Sequence, residues 1–153
     1  MDKQYVTFKL NNKEYGIDIK NVREITNFTE FTEIPNTLDF IAGLINIRGT
    51  VTPIIDLKKR FNLDGDSKLE DKKEKRIIII NIRDKQVGFI IDDASSVITL
   101  SENQVDKPPA IISKVIKDFI VGVGKLEDEL ILILDLERTF DITEKEELLK
   151  IEV

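Results

Sequence analysis

Residues 43–57 read GLINIRGTVTPIIDL, and this stretch decides the fold of the chain. Two apolar runs rich in β-branched residues, GLINI and TVTPII, flank the pair Arg48-Gly49, a pattern that is typical of a β-hairpin with a tight turn. Much of its frame recurs later in the chain, whereas the Arg-Gly pair at its tip does not. We therefore interpret the frame as architecture and the tip as a candidate functional feature.

The composition indicates a globular protein. With 153 residues and 41% hydrophobic content, the chain can bury a sizeable core, and we treat residues 1–153 as one domain. The net charge of -6 and the isoelectric point of about 4.9 argue against a general nucleic-acid-binding protein, which needs a basic surface.

Three absences narrow the function classes. The sequence has no cysteine, so disulfides and thiolate metal sites are excluded. It has no histidine, the side chain that hydrolases most often use as a base or metal ligand, so enzyme activity is not expected. No window approaches the roughly 18 to 20 apolar residues of a membrane span. We therefore expect a cytoplasmic protein without direct membrane insertion.

Short strands dominate the pattern of hydrophobic residues. Alternating residues predict an opening hairpin, further hairpins follow, and shorter strands lie between them. The predicted strands cover residues 5–10, 14–19, 22–25, 43–47, 50–55, 77–82, 87–91, 97–100, 119–126 and 130–134.

Helical signals are few. Asn36 or Thr37 is a candidate cap for a short helix that Gly43 would end. Asp56 would cap a helical turn, and Asp135 begins a helical segment whose charged tail covers residues 143–153. Residues 62–75 read as a solvated loop of mixed charge.

The chain repeats itself at two offsets. Moving residues 5–16 by 72 positions places Tyr15-Gly16 on Val87-Gly88, and moving residues 39–61 by 79 positions places IIDL on ILDL. Chance would not keep Asp, Gly and Phe in step over more than twenty residues. We therefore predict two similar small β barrels, with approximate subdomains at residues 15–75 and at 76–142 plus the N-terminal strand.

Comparison of the two copies separates architecture from function. The shared pairs Gly43 with Gly122 and Asp56 with Asp135 are interpreted as backbone and capping requirements of both barrels. Arg48-Gly49, in contrast, stands opposite Glu127-Asp128, so the fold does not require arginine at this tip. The sequence leaves two roles open for Arg48, a bidentate contact with a partner carboxylate or a local salt bridge.

No constellation of residues predicts a reaction centre. Asp92-Asp93 at the end of an apolar strand resembles the magnesium site of a receiver domain, but the chain lacks the alternating helices of that fold, so we interpret these acids as caps of the following turn. A small hydrolase that uses carboxylates stays as a distant alternative. No cofactor motif is present.

The remaining candidate is a contact surface. A groove with small apolar side chains between two barrels would suit a helix, although the same residues could belong to the core. The candidate residues are Ile19, Val22 and Glu24 in the first copy and Ala94 and Val97 in the second.

An ordered set of short motifs resembles one family. The chain resembles the CheW-like domain family, the coupling proteins of bacterial chemotaxis, from about residue 4 to residue 149. The motifs that carry the resemblance are YGIDI at 15–19, VREI at 22–25, IP at 34–35, FIAG at 40–43, NIRG at 46–49, PIIDL at 53–57, VGFIID at 87–92 and ILD at 133–135.

The resemblance implies a fold, a role and a site. The implied fold is all-β, with two SH3-like five-stranded barrels packed together, short helices and a C-terminal helix. The implied role is that of an adaptor in a two-component chemotaxis pathway, linking the cytoplasmic tips of chemoreceptors to the histidine kinase CheA through its CheW-like regulatory domain. By position, the partner-binding residues would be Ile19, Val22, Glu24, Arg48, Gly49, Gly88, Ala94 and Val97.

One alternative stays within the same superfamily. The chain could be a CheW-like regulatory module of a larger signalling protein. Met1 at the start and the lack of histidine-kinase motifs favour a standalone adaptor.

Overall fold

The computed structural model describes residues 2–11, 13–35, 37–61, 75–92, 96–109, 119–140 and 142–149. Within these ranges most of the chain is β-structure, which confirms the predicted fold class. The strands are β1 (Lys3–Leu10), β2 (Lys13–Asp18), β3 (Glu24–Asn27), β4 (Ile41–Ile47), β5 (Thr50–Asp56), β6 (Arg76–Ile82), β7 (Lys85–Ile91), β8 (Ser96–Leu100), β9 (Val105–Asp106), β10 (Ile120–Leu126) and β11 (Glu129–Leu134).

The helical segments are short. Helix α1 (Leu57–Arg60) follows β5 directly, and helix α2 (Ile142–Leu149) falls in the predicted C-terminal helical tail. In the described part of the chain, 3₁₀ turns lie at Ile19–Asn21, Glu102–Gln104 and Leu136–Thr139.

The strands form two sheets, and the chain crosses between them twice. The first sheet has the order β8-β1-β2-β11-β10-β9, and the second has the order β3-β6-β7-β5-β4. The chain leaves the six-stranded sheet after β2 and returns to it after β7. All of the five-stranded sheet is therefore inserted between β2 and β8.

This topology differs from the predicted subdomain boundaries. Strands β6 and β7 complete the sheet of β3, β4 and β5, and β2 belongs to the other sheet. The cause is the parallel pairing of β5 with β7, in which Ile54 lies opposite Gly88. At each of the two crossovers, strands that follow one another in the sequence therefore belong to different sheets.

The predicted internal repeat is confirmed by the strand registers. Thr7 lies opposite Gly16 in the β1–β2 hairpin, and Ile79 lies opposite Gly88 in the β6–β7 hairpin. Each residue of the second pair follows its counterpart in the first pair by the offset of 72. The β4–β5 and β10–β11 hairpins share a second feature, because their register shifts at Gly43 and at Gly122.

Two details of the prediction are wrong. Residues 37–40 form turns instead of a helix, since the backbone extends at Ile41 to pair with Ile55. The two sheets also differ in strand number: β9 pairs with β10, whereas the corresponding position beside β4 holds a single bridge between Thr32 and Leu44.

The main core lies between the two sheets and draws on both copies of the repeat. Phe61 of the first copy packs on Phe119 of the second, and Phe140 of the second packs on Phe40 of the first. The fully buried side chains include Phe8, Leu10, Ile17, Ile55, Leu57, Ile78, Ile82, Phe89 and Ile91.

Candidate partner-binding surface

Arg48 and Gly49 form the tight turn between β4 and β5. Both have positive φ angles, 52° and 85°, as the inner residues of a type I′ hairpin turn require. The Asn46 side chain accepts a hydrogen bond of 2.7 Å from the Gly49 amide, which fixes the turn. Glu127 in the equivalent turn has a φ angle of 54°, so the backbone of this turn does not depend on arginine.

The Arg48 side chain forms a salt bridge with Glu24. Its Nη1 donates to Glu24 Oε1 at 3.0 Å. The Arg48 side chain is 77% exposed while that of Glu24 is 18% exposed, so one edge of the guanidinium is held and the rest faces solvent. The local salt bridge foreseen as one alternative is therefore present, and it leaves the guanidinium accessible to a second carboxylate.

Ile19 and Val22 lie on the crossover that leads from β2 to β3. Both are half-buried and pack against the main core, so they combine a core contact with a partly exposed surface. The Asp18 side chain accepts from the Lys20 amide and caps the 3₁₀ turn that holds Ile19. Val22 also lines a cleft of about 380 Å³, together with Ile17, Lys20, Asn21, Arg23, Ile80, Asn81, Asp135, Leu136 and Glu137.

The other predicted contact residues lie on β7, on β8 or outside the described residues. Val97 is 53% exposed on β8, one of the two edge strands of the six-stranded sheet. Gly88 is buried in β7, where a Cβ atom would come within 2.6 Å of Ile54 Cδ1 and 2.8 Å of Ile77 Cγ2. Its expected place on the contact surface is therefore wrong, because strand packing requires this glycine. Ala94 lies outside the described residues.

The glycine pair assigned to architecture lies where strands approach closely. A Cβ atom on Gly43 would overlap the Thr32 carbonyl oxygen and lie 2.7 Å from Phe31 Cδ2. A Cβ atom on Gly122 would lie 3.0 Å from Val105 Cγ1. Because both glycines lack a side chain, the neighbouring edge segment can pack closely against each of them.

The aspartate pair caps the short helical segments. Asp56 accepts from the Lys59 amide at 3.3 Å, and Asp135 accepts from the Glu137 amide at 3.1 Å. Each aspartate also donates its own amide to a phenylalanine carbonyl, Phe40 or Phe119, in the same copy.

Comparison with known proteins gives the family. The model of the CheW-like domain matches residues 4–144. The chain belongs to the CheW-like family. It is 39% identical over 136 residues to the chemotaxis protein CheW of Bacillus subtilis, covering 89% of this chain and 85% of that protein. It is 35% identical over 135 residues to CheW of Klebsiella aerogenes, covering 88% and 80%.

A solved structure agrees with the fold. The crystal structure of the scaffolding protein TtCheW from Thermoanaerobacter tengcongensis matches with a TM-score of 0.84 at 38% identity, covering 97% of this chain and 94% of that one. This likeness confirms the predicted pair of SH3-like barrels. Together, the CheW relatives support a chemotaxis adaptor or scaffold role for this chain.

The described residues contain neither a membrane-spanning helix nor a metal-binding cluster. None of the helices in these ranges is long and apolar enough to cross a membrane. The same residues hold no group of three or more acidic side chains placed to bind a metal ion.

Sequence reasoning missed the network around Asp92. Its carboxylate accepts from Lys58 at 2.7 Å, from Lys75 at 3.2 Å and from the Asn11 amide at 2.9 Å, while the turn that it was expected to cap lies outside the described residues. Burial opposes ionisation of this carboxyl, but the hydrogen bonds from Lys58, Asn11 and Lys75 outweigh it and lower the pKa of Asp92. The sequence signal that could have found this network is the short turn between β6 and β7. The register of this hairpin pairs Arg76 with Ile91, so the next residues outward, Lys75 and Asp92, lie opposite each other.

Proposed function

We propose that this protein is a non-enzymatic adaptor that couples the cytoplasmic tips of chemoreceptors to the histidine kinase CheA. It would work in the cytoplasm beside membrane receptor arrays, attached through protein contacts and without a cofactor. The single observation that carries the proposal is the Arg48 tip, a side chain that is 77% exposed on a turn whose backbone does not require it.

The geometry of the tip suits recognition of an acidic side chain. Glu24 holds Nη1 of Arg48, and the Gly49 amide is fixed by Asn46, so the guanidinium loses little freedom when a partner binds. A second carboxylate on the partner would complete a charge-assisted contact. In this arrangement Glu24 orients Arg48, while Gly49 supplies the positive φ angle that the turn needs.

Apolar residues would supply the rest of the contact. Ile19 and Val22 expose part of their side chains at the first crossover, close in sequence to Glu24. Val97 offers a further exposed apolar side chain on β8, and Ala94 stays a predicted member of the surface. A helical receptor tip with acidic and apolar side chains would fit such a surface. Gly88 is left out of the proposed surface because it is buried.

The test is a pull-down with two partners and two matched arginine variants. A receptor signalling tip and the regulatory domain of CheA are each presented to the wild type, Arg48→Ala and Arg83→Ala. Arg83 is a suitable control because it is also exposed, has a positive φ angle of 49° and lies at the tip of the β6–β7 hairpin. We expect Arg48→Ala to lose receptor binding by about tenfold or more, whereas Arg83→Ala keeps it.

Two further measurements make the result decisive. Arg48→Lys keeps the charge but not the planar fork, so a weaker complex with Arg48→Lys supports a bidentate contact. Circular dichroism and a urea titration check that each variant is folded. Equal receptor binding by the wild type and a folded Arg48→Ala would disprove the role of this tip.

A further inference from the structure

The internal repeat relates the two crossovers between the sheets to each other, but the charged residues at corresponding positions differ. The first leads from β2 to β3, and the second leaves β7 at Asp92. The offset of 72 places Asp92 on Lys20, and the offset of 79 places Lys58 on Glu137. The acid and the base have therefore exchanged places between the two crossovers.

At the second crossover a single residue joins four segments from both sheets. Asp92 Oδ2 accepts from Lys58 of α1 and from the Asn11 amide in the β1–β2 turn, and Oδ1 accepts from Lys75 before β6. The Asp92 amide also donates to the Lys9 carbonyl oxygen at 3.0 Å. Lys9 and Asn11 belong to the six-stranded sheet, whereas Lys58 and Lys75 belong to the other half.

The burial of these groups makes the network more than a surface ion pair. The side chains of Lys58 and Lys75 are only 13% and 8% exposed, and that of Asp92 is 22% exposed. A shielded carboxylate that is hydrogen-bonded by two ammonium groups and an amide interacts more strongly than an exposed pair. Removing the carboxylate would leave two largely buried lysines without this partner.

The first crossover is arranged differently. Lys20 is exposed, and Glu137 forms an ion pair with Lys145 of α2 at 3.3 Å. A cleft of about 380 Å³ lies between these segments. At the first crossover the acid Glu137 thus pairs with α2, and the base Lys20 faces solvent.

We infer that Asp92 is an ionic clamp that fixes the β1–β2 hairpin of the six-stranded sheet onto the five-stranded sheet at one crossover. The clamp consists of Asp92, Lys58, Lys75 and the Asn11 amide. It is independent of the proposed partner contacts at Arg48, and it concerns the mutual position of the two halves.

The test is amide hydrogen exchange on the full chain, with the wild type, Asp92→Asn and the control Asp84→Asn. Asp84 lies exposed in the β6–β7 turn, so its substitution removes the same charge without touching the clamp. We expect exchange at the Asn11 amide to rise about tenfold or more in Asp92→Asn, because the β1–β2 turn can open locally once its contact with the Asp92 carboxylate is weakened. The amide of Ile78 in the inner strand β6 should keep its wild-type rate.

A second variant keeps the test decisive if Asp92→Asn fails to fold. Lys58→Met breaks the clamp from the other side and leaves the pair of Asp92 with Lys75 intact. It should also raise exchange at Asn11. Where Asp92→Asn folds, the effect of Lys58→Met should shrink in the double variant, since both changes act on one interaction. Unchanged exchange at Asn11 in the folded variants, or fully additive effects, would overturn the clamp.

Discussion

Phe61 stacks face to face on Phe119, with ring centroids 4.6 Å apart and ring planes only 5° from parallel. The offset of 79 relates Phe119 to Phe40 and Phe140 to Phe61. Phe140 and Phe40 also pack together, with centroids 5.6 Å apart. The aromatic residue that closes each copy thus packs on the residue that opens the hairpin of the other copy. This exchange makes the two halves one folding unit.

Phe61→Ala should therefore destabilise the whole chain and not only its first half. Phe61 is half-buried, so the loss should be smaller than for a fully buried phenylalanine, about 2 kcal/mol in the free energy of unfolding. Urea titration followed by circular dichroism measures it, and Phe61→Leu serves as the milder control. A transition in which one half unfolds separately in the wild type would contradict the single-unit interpretation.

The repeat and the all-β fold were predictable because they depend on local patterns. Alternating apolar residues mark the strands, and the offset of 72 aligns Gly16 with Gly88 as the offset of 79 aligns Gly43 with Gly122. The assignment of strands to sheets was not predictable in the same way, since the parallel pairing of Ile54 with Gly88 joins residues far apart in the sequence. The surface position of Gly88 was implied by the family resemblance alone, and the neighbours of Gly88 across the sheet leave no room for a side chain.

Gly43→Ala should be far more destabilising than Gly49→Ala. A methyl group at Gly43 would overlap the backbone of Thr32, which cannot move without breaking its bridge to Leu44, so we expect a loss of about 3 kcal/mol. Gly49 has open space around it, and only its φ angle of 85° opposes alanine, at about 1 kcal/mol. Chemical denaturation of both variants gives the comparison. An equal loss for the two would show that the approach of Thr32 does not determine the choice of glycine.

Gly88→Ala separates packing from partner binding. The new methyl group would press on Ile54 and Ile77, whose side-chain ends can shift in part, so a loss of about 1 to 3 kcal/mol is expected. Receptor binding per folded molecule should stay at the wild-type level, in contrast to Arg48→Ala. The two quantities are measured by urea titration and by a binding assay corrected for the folded fraction. A stable Gly88→Ala variant that binds the receptor weakly would show that Gly88 does belong to the contact surface.

Asp92 should make the stability of the protein sensitive to acid. Its folded-state pKa lies below the ordinary value of 3.8, since hydrogen bonds from Lys58, Asn11 and Lys75 outweigh the effect of burial. The unfolded chain therefore binds this proton more readily, so the stability that Asp92 contributes is complete above the ordinary pKa and is lost as the pH falls through the folded-state value. Urea titrations at about pH 6 and about pH 3 should show a gap in stability between the wild type and Asp92→Asn that narrows at the lower pH. The same gap at both pH values would mean that the charge of this carboxylate does not stabilise the fold.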